Sequence, residues 1–394
     1  MSVTEGSGEV YRPISTTDEE GFSDISDSEL LSLQDDNLGN TLHPGEGRTN
    51  SHGLCTNEVG TSALNQEEVK KSIGKLKDPG GILQRKRKQV VQKPLDKFRM
   101  KYLWVTNLCS QTWCEQQMVY EFEFPGVEKQ EKTEAMNAGA SIHLARELEV
   151  HDVVSVSTQT REDSWAIKFL NVLAMIPVLQ SGGHVREFPV FRELDGIFVV
   201  GVIDELGYSS KGELELRELK TRTTPSLPRS SQKSSHTFQV SLYKMLFDGM
   251  VNGKLQPDVF IQHLQLRLDQ VLGVQVKEHI ERAGLTVSTF GDLLELTCLN
   301  LAFSELPVID CIKLEYCYQA DGTLLGCETV TFDEKNVMEH LKFCLSYWKG
   351  QREVRGVDIE EAWKCSHCSF SNVCEWRTKK SEDALVKCHT KKAK

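Results

Sequence analysis

Asp204, Glu218 and Lys220 are the side chains best suited to hydrolytic chemistry on an ester. Phosphodiester hydrolysis needs an activated water and stabilisation of charge on the transferred phosphorus, and Mg2+ supplies both from hard oxygen ligands. Asp204 closes the apolar run Ile197-Phe198-Val199-Val200-Gly201-Val202-Ile203. That run is expected to be a core strand, so the carboxylate is partly desolvated and rigidly held. Glu218 and Lys220 stand two apart in an alternating run, so on a strand both project to one face. The Leu219 carbonyl between them offers another oxygen, and Lys220 is placed to orient water or stabilise the scissile phosphate. By itself a D…ExK pattern is common, and its bland reading is an edge strand with two surface residues. Glu213 and Glu215 are close enough to compete with Glu218, which alone has a lysine two residues on.

Cys365, Cys368 and Cys374 form a second chemistry-bearing set, spaced C-x2-C-x5-C. Thiolates so spaced bind metal, but zinc normally wants a second such pair or nearby histidines. His367 lies inside the pair, where it could hardly share a tetrahedral ion with both neighbours. The 12 cysteines fall well short of a disulfide scaffold. With no signal sequence or apolar stretch of membrane-spanning length, a reducing compartment is expected. Asp18-Glu19-Glu20 and Asp35-Asp36 argue against a mitochondrial presequence, which leaves the nucleus and also the cytosol.

The elements that must position these residues are an α/β set. Residues 1–70 hold 14 of the 57 acidic and 3 of the 46 basic residues, leaving 43 of each in 71–394. The net charge of −11 therefore belongs to the tail, and it does not argue against nucleic-acid binding by the rest. Residues 1–80 are expected to be a disordered acidic tail and 81–101 a basic linker built on Arg85-Lys86-Arg87-Lys88. The folded domain is expected over 102–378, with a basic tail at 379–394. Helical periodicity covers 134–150, 163–179, 237–250 and 333–348; strand patterns cover 196–206, 213–220, 259–268 and 309–318. The Ser/Thr/Pro-rich stretch 221–235 is expected to be a mobile basic loop, with Arg222, Arg229 and Lys233 placed to track phosphates.

Two flanking patterns complete an order. Gly139 and His143 stand one helical turn apart, as do Gln239 and Tyr243. GxxxH, then D, then ExK, then QxxxY resembles the RecB-type branch of the PD-(D/E)XK nuclease superfamily, over about 139–243. The three late cysteines, with one Cys before the core, extend the likeness to that branch's iron–sulfur members. The resemblance implies an α/β, restriction-endonuclease-like core. It implies a 4Fe–4S cluster stapling the N- and C-terminal segments through Cys114, Cys365, Cys368 and Cys374. Cys109 competes for the upstream place, and Ser110-Gln111-Thr112-Trp113-Cys114 is the closer likeness. By the same carry-over His143, Asp204 and Glu218 bind Mg2+, or Mn2+ in its place, and Lys220 is catalytic. Gln239 and Tyr243 face DNA, and Arg222 of the basic loop is expected to join them.

There is no P-loop, so the resemblance is to the branch's stand-alone members. It implies a monomeric exonuclease specific for single-stranded DNA, working from free ends in both directions with a preference for 5′ ends. Short oligonucleotides are the implied products, and DNA repair including interstrand cross-links the implied role. Replication protein A is the candidate partner of the acidic tail, and no membrane is involved. The alternatives are a structure-specific endonuclease of the same branch and a non-catalytic, zinc-containing nucleic-acid-binding protein.

Overall fold

The computed structural model describes residues 14–16, 92–124, 132–150 and 154–382. These fall into two compact units, 14–16 with 92–369 and 370–382. In chain order the first holds β1 (Ile14–Thr16), α1 (Pro94–Lys97), β2 (Leu103–Trp104), α2 (Val105–Glu123), α3 (Lys132–Leu148), β3 (Val154–Val156) and α4 (Arg161–Gln180). Then come β4 (Val185–Leu194), β5 (Ile197–Tyr208), β6 (Leu214–Arg222), α5 (Ser230–Val251), α6 (Pro257–Leu264), α7 (Val274–Arg282) and α8 (Phe290–Ala302). β7 (Cys311–Tyr318), β8 (Leu324–Val330), α9 (Glu334–Trp348) and a 3-10 helix (Ile359–His367) close it. This is the expected α/β class. Most of the expected acidic tail and part of the linker lie outside the described residues, but two pieces depart from expectation. β1 pairs in parallel with β3, and ordered chain begins in the linker with α1.

Local chemistry accounts for the elements that carry the site. α4 starts at Thr160, whose hydroxyl accepts the Asp163 N–H at 3.0 Å while the Asp163 carboxylate accepts the Thr160 N–H at 3.2 Å. That reciprocal cap fixes the helix start. Its buried stripe of Trp165, Phe169, Val172 and Ile176 meets Phe191 on β4 and Phe198 on β5, the Trp165 ring centroid lying 5.8 and 6.0 Å from theirs. Asp195 and Gly196 turn β4 into β5 with φ of 49° and 79°, the left-handed pair that an Asp-Gly hairpin needs. β4 is an edge strand, which tolerates Pro189.

β5 organises the sheet. β4 runs antiparallel along one side of it, from Val185↔Leu206 to Leu194↔Ile197. The other side is shared: β2 pairs in parallel with Val199 and Val200, and β6 pairs antiparallel with Glu205 through Tyr208. The handover between them falls at 201–204. β6 continues in parallel with β7, and β7 antiparallel with β8. At the handover Gly201 lets α5 lie close, since a Cβ there would stand 2.6 Å from Tyr243 Cε1.

Two sequence expectations fail. Residues 259–268 form helix α6 and loop rather than a strand: Pro257 sits in its first turn, and Val259, Phe260 and Leu264 suit a short helix as well as a strand. The loop expected over 221–235 spans only 223–229, because β6 runs to Arg222 and α5 starts at Ser230. No helix of the described residues is long and apolar enough to cross a membrane.

Candidate active site

Asp204 stands at the end of the β5 handover, and its carboxylate does what the ladder does elsewhere. Its Oδ2 accepts the Leu219 N–H at 2.7 Å. Continuing the β5–β6 register one step past Glu205↔Arg217 sets Asp204 opposite Glu218. On the other side Glu187 of β4 lies opposite Asp204, between the pairs Arg186↔Glu205 and Phe188↔Ile203. Three carboxylates from three neighbouring strands thus share one row across the sheet.

Glu218 is 2 % exposed, and its Oε1 accepts from Lys220 Nζ at 2.9 Å and Gln239 Nε2 at 3.0 Å. Gln239 Nε2 also donates to Tyr243 Oη at 3.0 Å. Gln239 and Tyr243 are buried, and from α5 Gln239 bonds Glu218 while Tyr243 bonds Gln239. Arg222 ends β6 at the surface, where it donates to the Ser226 carbonyl.

His143 arrives from α3. Its Nδ1 lies 3.7 Å from Asp204 Oδ2. Gly139, one turn earlier, explains the GxxxH spacing: a Cβ there would meet Thr221 Oγ1 at 2.8 Å and Gln319 Nε2 at 3.2 Å. The bare glycine lets α3 seat on β6 so that His143 reaches the row. Ligand atoms of His143, Glu187 and Asp204 all lie within 4.8 Å of one another. The two carboxylates suit a hard cation such as Mg2+ or Mn2+, with the imidazole as one borderline nitrogen ligand. Glu187 was missed in the sequence because β4 was; the Asp195-Gly196 hairpin signal would have paired it with Asp204.

Charge around the row is balanced in detail. An open recess is lined by His143, Arg146, Arg186, Glu187, Asp204 and Leu219 among others. Arg186 and Arg217 bond Glu205 at 3.1 and 2.7 Å, and Arg146 bonds Glu315 at 3.0 Å. Burial pushes the Glu215 carboxyl up, but hydrogen bonds from Lys313 and Arg217 outweigh it and hold the group below its ordinary value. His236 on α5 is driven the other way. Burial first, then the charges of Lys220 and Arg222, lower its pKa to about 3. It is therefore a neutral neighbour of Lys220, with Nδ1 3.3 Å from Tyr316 Oη.

The cysteines lie away from this row. Cys114 breaks α2, with φ −162° and ψ 105° inside the helix. Both of its neighbours are clamped to the segment that leads to Cys365. The Trp113 ring packs edge-on against Trp363 at 5.7 Å, and its carbonyl accepts from Lys364 Nζ at 3.2 Å. The buried Glu115 takes two 2.6 Å bonds from Arg352 and one of 2.8 Å from the Arg355 N–H. Cys365 and Cys368 flank the end of the 3-10 helix, with Cys368 N donating to the Cys365 carbonyl at 3.4 Å. By contrast Cys109 is buried within regular helix. In the second unit, the Cys374 carbonyl accepts the Thr378 N–H at 3.1 Å. A half-buried thiol at a tied-down helix break, and two thiols three residues apart at another, suit soft-metal ligation.

A carboxylate row with a lysine beside it, where β5 passes from β2 to β6, is a set of groups suited to metal-assisted hydrolysis. Comparison with known proteins agrees. The model of a family described as "Exonuclease V - a 5′ deoxyribonuclease" matches residues 93–217, 209–295 and 285–377. A curated relative, "Exonuclease V" of Danio rerio, is 43 % identical over 366 residues, covering 91 % of this chain and 93 % of the relative. The chain belongs to the exonuclease V family. A solved structure, that of SSO0001, covers 70 % of this chain and 87 % of its own at 14 % identity and a TM-score of 0.35, a likeness too slight to argue from.

Proposed function

We propose that the chain is a metal-dependent exonuclease of PD-(D/E)XK type, specific for single-stranded DNA and acting from free ends with a preference for 5′ ends. The observation that carries the reading is Asp204, held by the Leu219 N–H at 2.7 Å opposite Glu218, with Lys220 Nζ 2.9 Å from Glu218. His143, Asp204 and Glu218 would hold Mg2+ or Mn2+, which when bound polarises the phosphate and lowers the pKa of a bound water. Lys220 shares the strand face of Glu218, so its ammonium orients the attacking water and offsets charge on the phosphate. Gln239 keeps the Glu218 carboxylate aimed. The family's description as a 5′ deoxyribonuclease supports DNA as substrate and 5′ ends as the entry. The given sequence carries no P-loop, the nucleotide site of an unwinding motor, and this supports single strands as the substrate.

Cys114, Cys365, Cys368 and Cys374 hold a 4Fe–4S cluster in this reading, with a structural rather than redox role. What supports it is the helix break at Cys114 beside the residues tied to Trp363 and Lys364. A nuclear, also cytosolic, monomer in DNA repair, cross-link repair included, follows from the same reading. Replication protein A is its partner for the acidic tail.

The test uses end-labelled linear and circular single strands, with matched duplexes, and Asp204→Asn and Lys220→Ala variants of normal fold. Degradation of linear single strands alone, lost in both variants, is expected. Wild-type rates in either variant would sink the reading, and cleavage of the circle would make the enzyme an endonuclease.

A further inference from the structure

We propose that Glu187 is a further carboxylate ligand for the divalent cation, joining His143 and Asp204; the inference rests on the metal-dependent reading above. Three separate elements, α3, β4 and β5, bring one imidazole and two carboxylates together, their ligand atoms within 4.8 Å of one another. Glu218, the acid expected to complete that set, is differently engaged: its Oε1 is 2.9 Å from Lys220 Nζ and 3.0 Å from Gln239 Nε2. In the row across the sheet Asp204 stands between Glu187 and Glu218, so it is the carboxylate both sides share. The cation therefore has acids to either side of Asp204, with Glu187 on the side of His143 and of the recess.

Glu187 also sits at an unfavourable backbone position. Its φ is 54°, a left-handed conformation that costs a non-glycine residue and persists where the surroundings require it. A glycine would be at ease there, so the glutamate trades stability for its carboxylate.

Mn2+ titration of the full chain, purified without oxygen and followed by loss of the free-ion EPR signal, tests this without any turnover. Glu187→Gln and Glu187→Gly are compared with Asp204→Asn. Each Glu187 variant is expected to weaken the site that Asp204→Asn abolishes by roughly tenfold or more. Glu187→Gly is also expected to melt at or above the wild-type temperature in metal-free buffer, because the strained residue is relieved. Wild-type Mn2+ affinity in both Glu187 variants, with binding lost in Asp204→Asn, would overturn the role of Glu187 and leave the metal reading standing. Unchanged binding in Asp204→Asn as well would overturn both.

Discussion

Leu219 gives its backbone N–H to Asp204 Oδ2 at 2.7 Å, so the strand that carries Glu218 and Lys220 also orients the aspartate facing them. One peptide group couples the two halves of the site. Asp204→Asn keeps an oxygen for that N–H, whereas Asp204→Leu removes it. Both variants should lose at least about 10²-fold in cleavage rate. Only the leucine variant should also lose roughly 1–3 kcal/mol of stability, for a buried donor left without an acceptor. Urea unfolding of the two side by side checks this; equal midpoints would show that the bond matters little to the fold.

Gln239 acts through Glu218. Its amide donates to Glu218 Oε1 at 3.0 Å from a position 2 % exposed. Gln239→Leu should therefore cost about 10- to 100-fold in activity or metal affinity, as loss of a second-layer partner does elsewhere. Gln239→Glu sets a second carboxylate beside Glu218 and should cost more than the leucine does, through like-charge repulsion. Wild-type rates in both variants would remove Gln239 from the site.

Gly139 sets how closely α3 approaches β6. An added methyl would meet Thr221 Oγ1 at 2.8 Å, tighter than packed atoms allow. Gly139→Ala should cost about 1–3 kcal/mol and move His143 away from Asp204, lowering affinity for the metal more than for DNA. Calorimetric titration with Mn2+ separates the two; an unchanged metal affinity would mean that α3 shifts without carrying His143.

Much of this was legible in the sequence because the site is built from local patterns. Asp204 ends an apolar run, and Glu218 and Lys220 keep the period of a strand, so their places follow from side-chain alternation alone. Gln239 and Tyr243 share a helix face, yet whether that face meets solvent or Glu218 depends on how α5 crosses β5, which turns on Gly201 some 40 residues away. Glu187 was hidden for a different reason. Val185–Leu194 carries Arg, Glu and Pro among its apolar residues, and an edge strand keeps those polar groups without a clear alternation. Residues 257–264 misled in the opposite sense, since a short apolar run suits either element.

His236 makes folding sensitive to acid. Its pKa is near 6.5 in an ordinary setting and about 3 in the fold, where burial and then the charges of Lys220 and Arg222 oppose a further cation. Between those values the unfolded chain binds a proton that the folded chain refuses. Its share of stability is thus complete above about pH 6.5 and declines as pH falls toward 3. In His236→Gln the urea midpoint should fall less steeply between pH 7 and pH 4.5. An identical slope would show that other groups carry the acid sensitivity.

The choice between Cys109 and Cys114 has a direct readout. Cys114 lies at a break in α2, between Trp113, which packs on Trp363, and Glu115, which is clamped by Arg352. Its thiol is therefore carried by the part of α2 already fastened to the segment ending in Cys365 and Cys368. Cys109 sits a turn and a half earlier in regular helix, where it is buried in the hydrophobic core. Protein purified without oxygen should hold about four irons and four sulfides per chain, as a cubane cluster requires. Cys114→Ser and Cys368→Ser should lose most of that content and the brown colour, while Cys109→Ser keeps both. Loss in Cys109→Ser with retention in Cys114→Ser would reverse the assignment. Zinc without sulfide in the wild type would replace the cluster with a zinc site and leave the carboxylate row to stand without it.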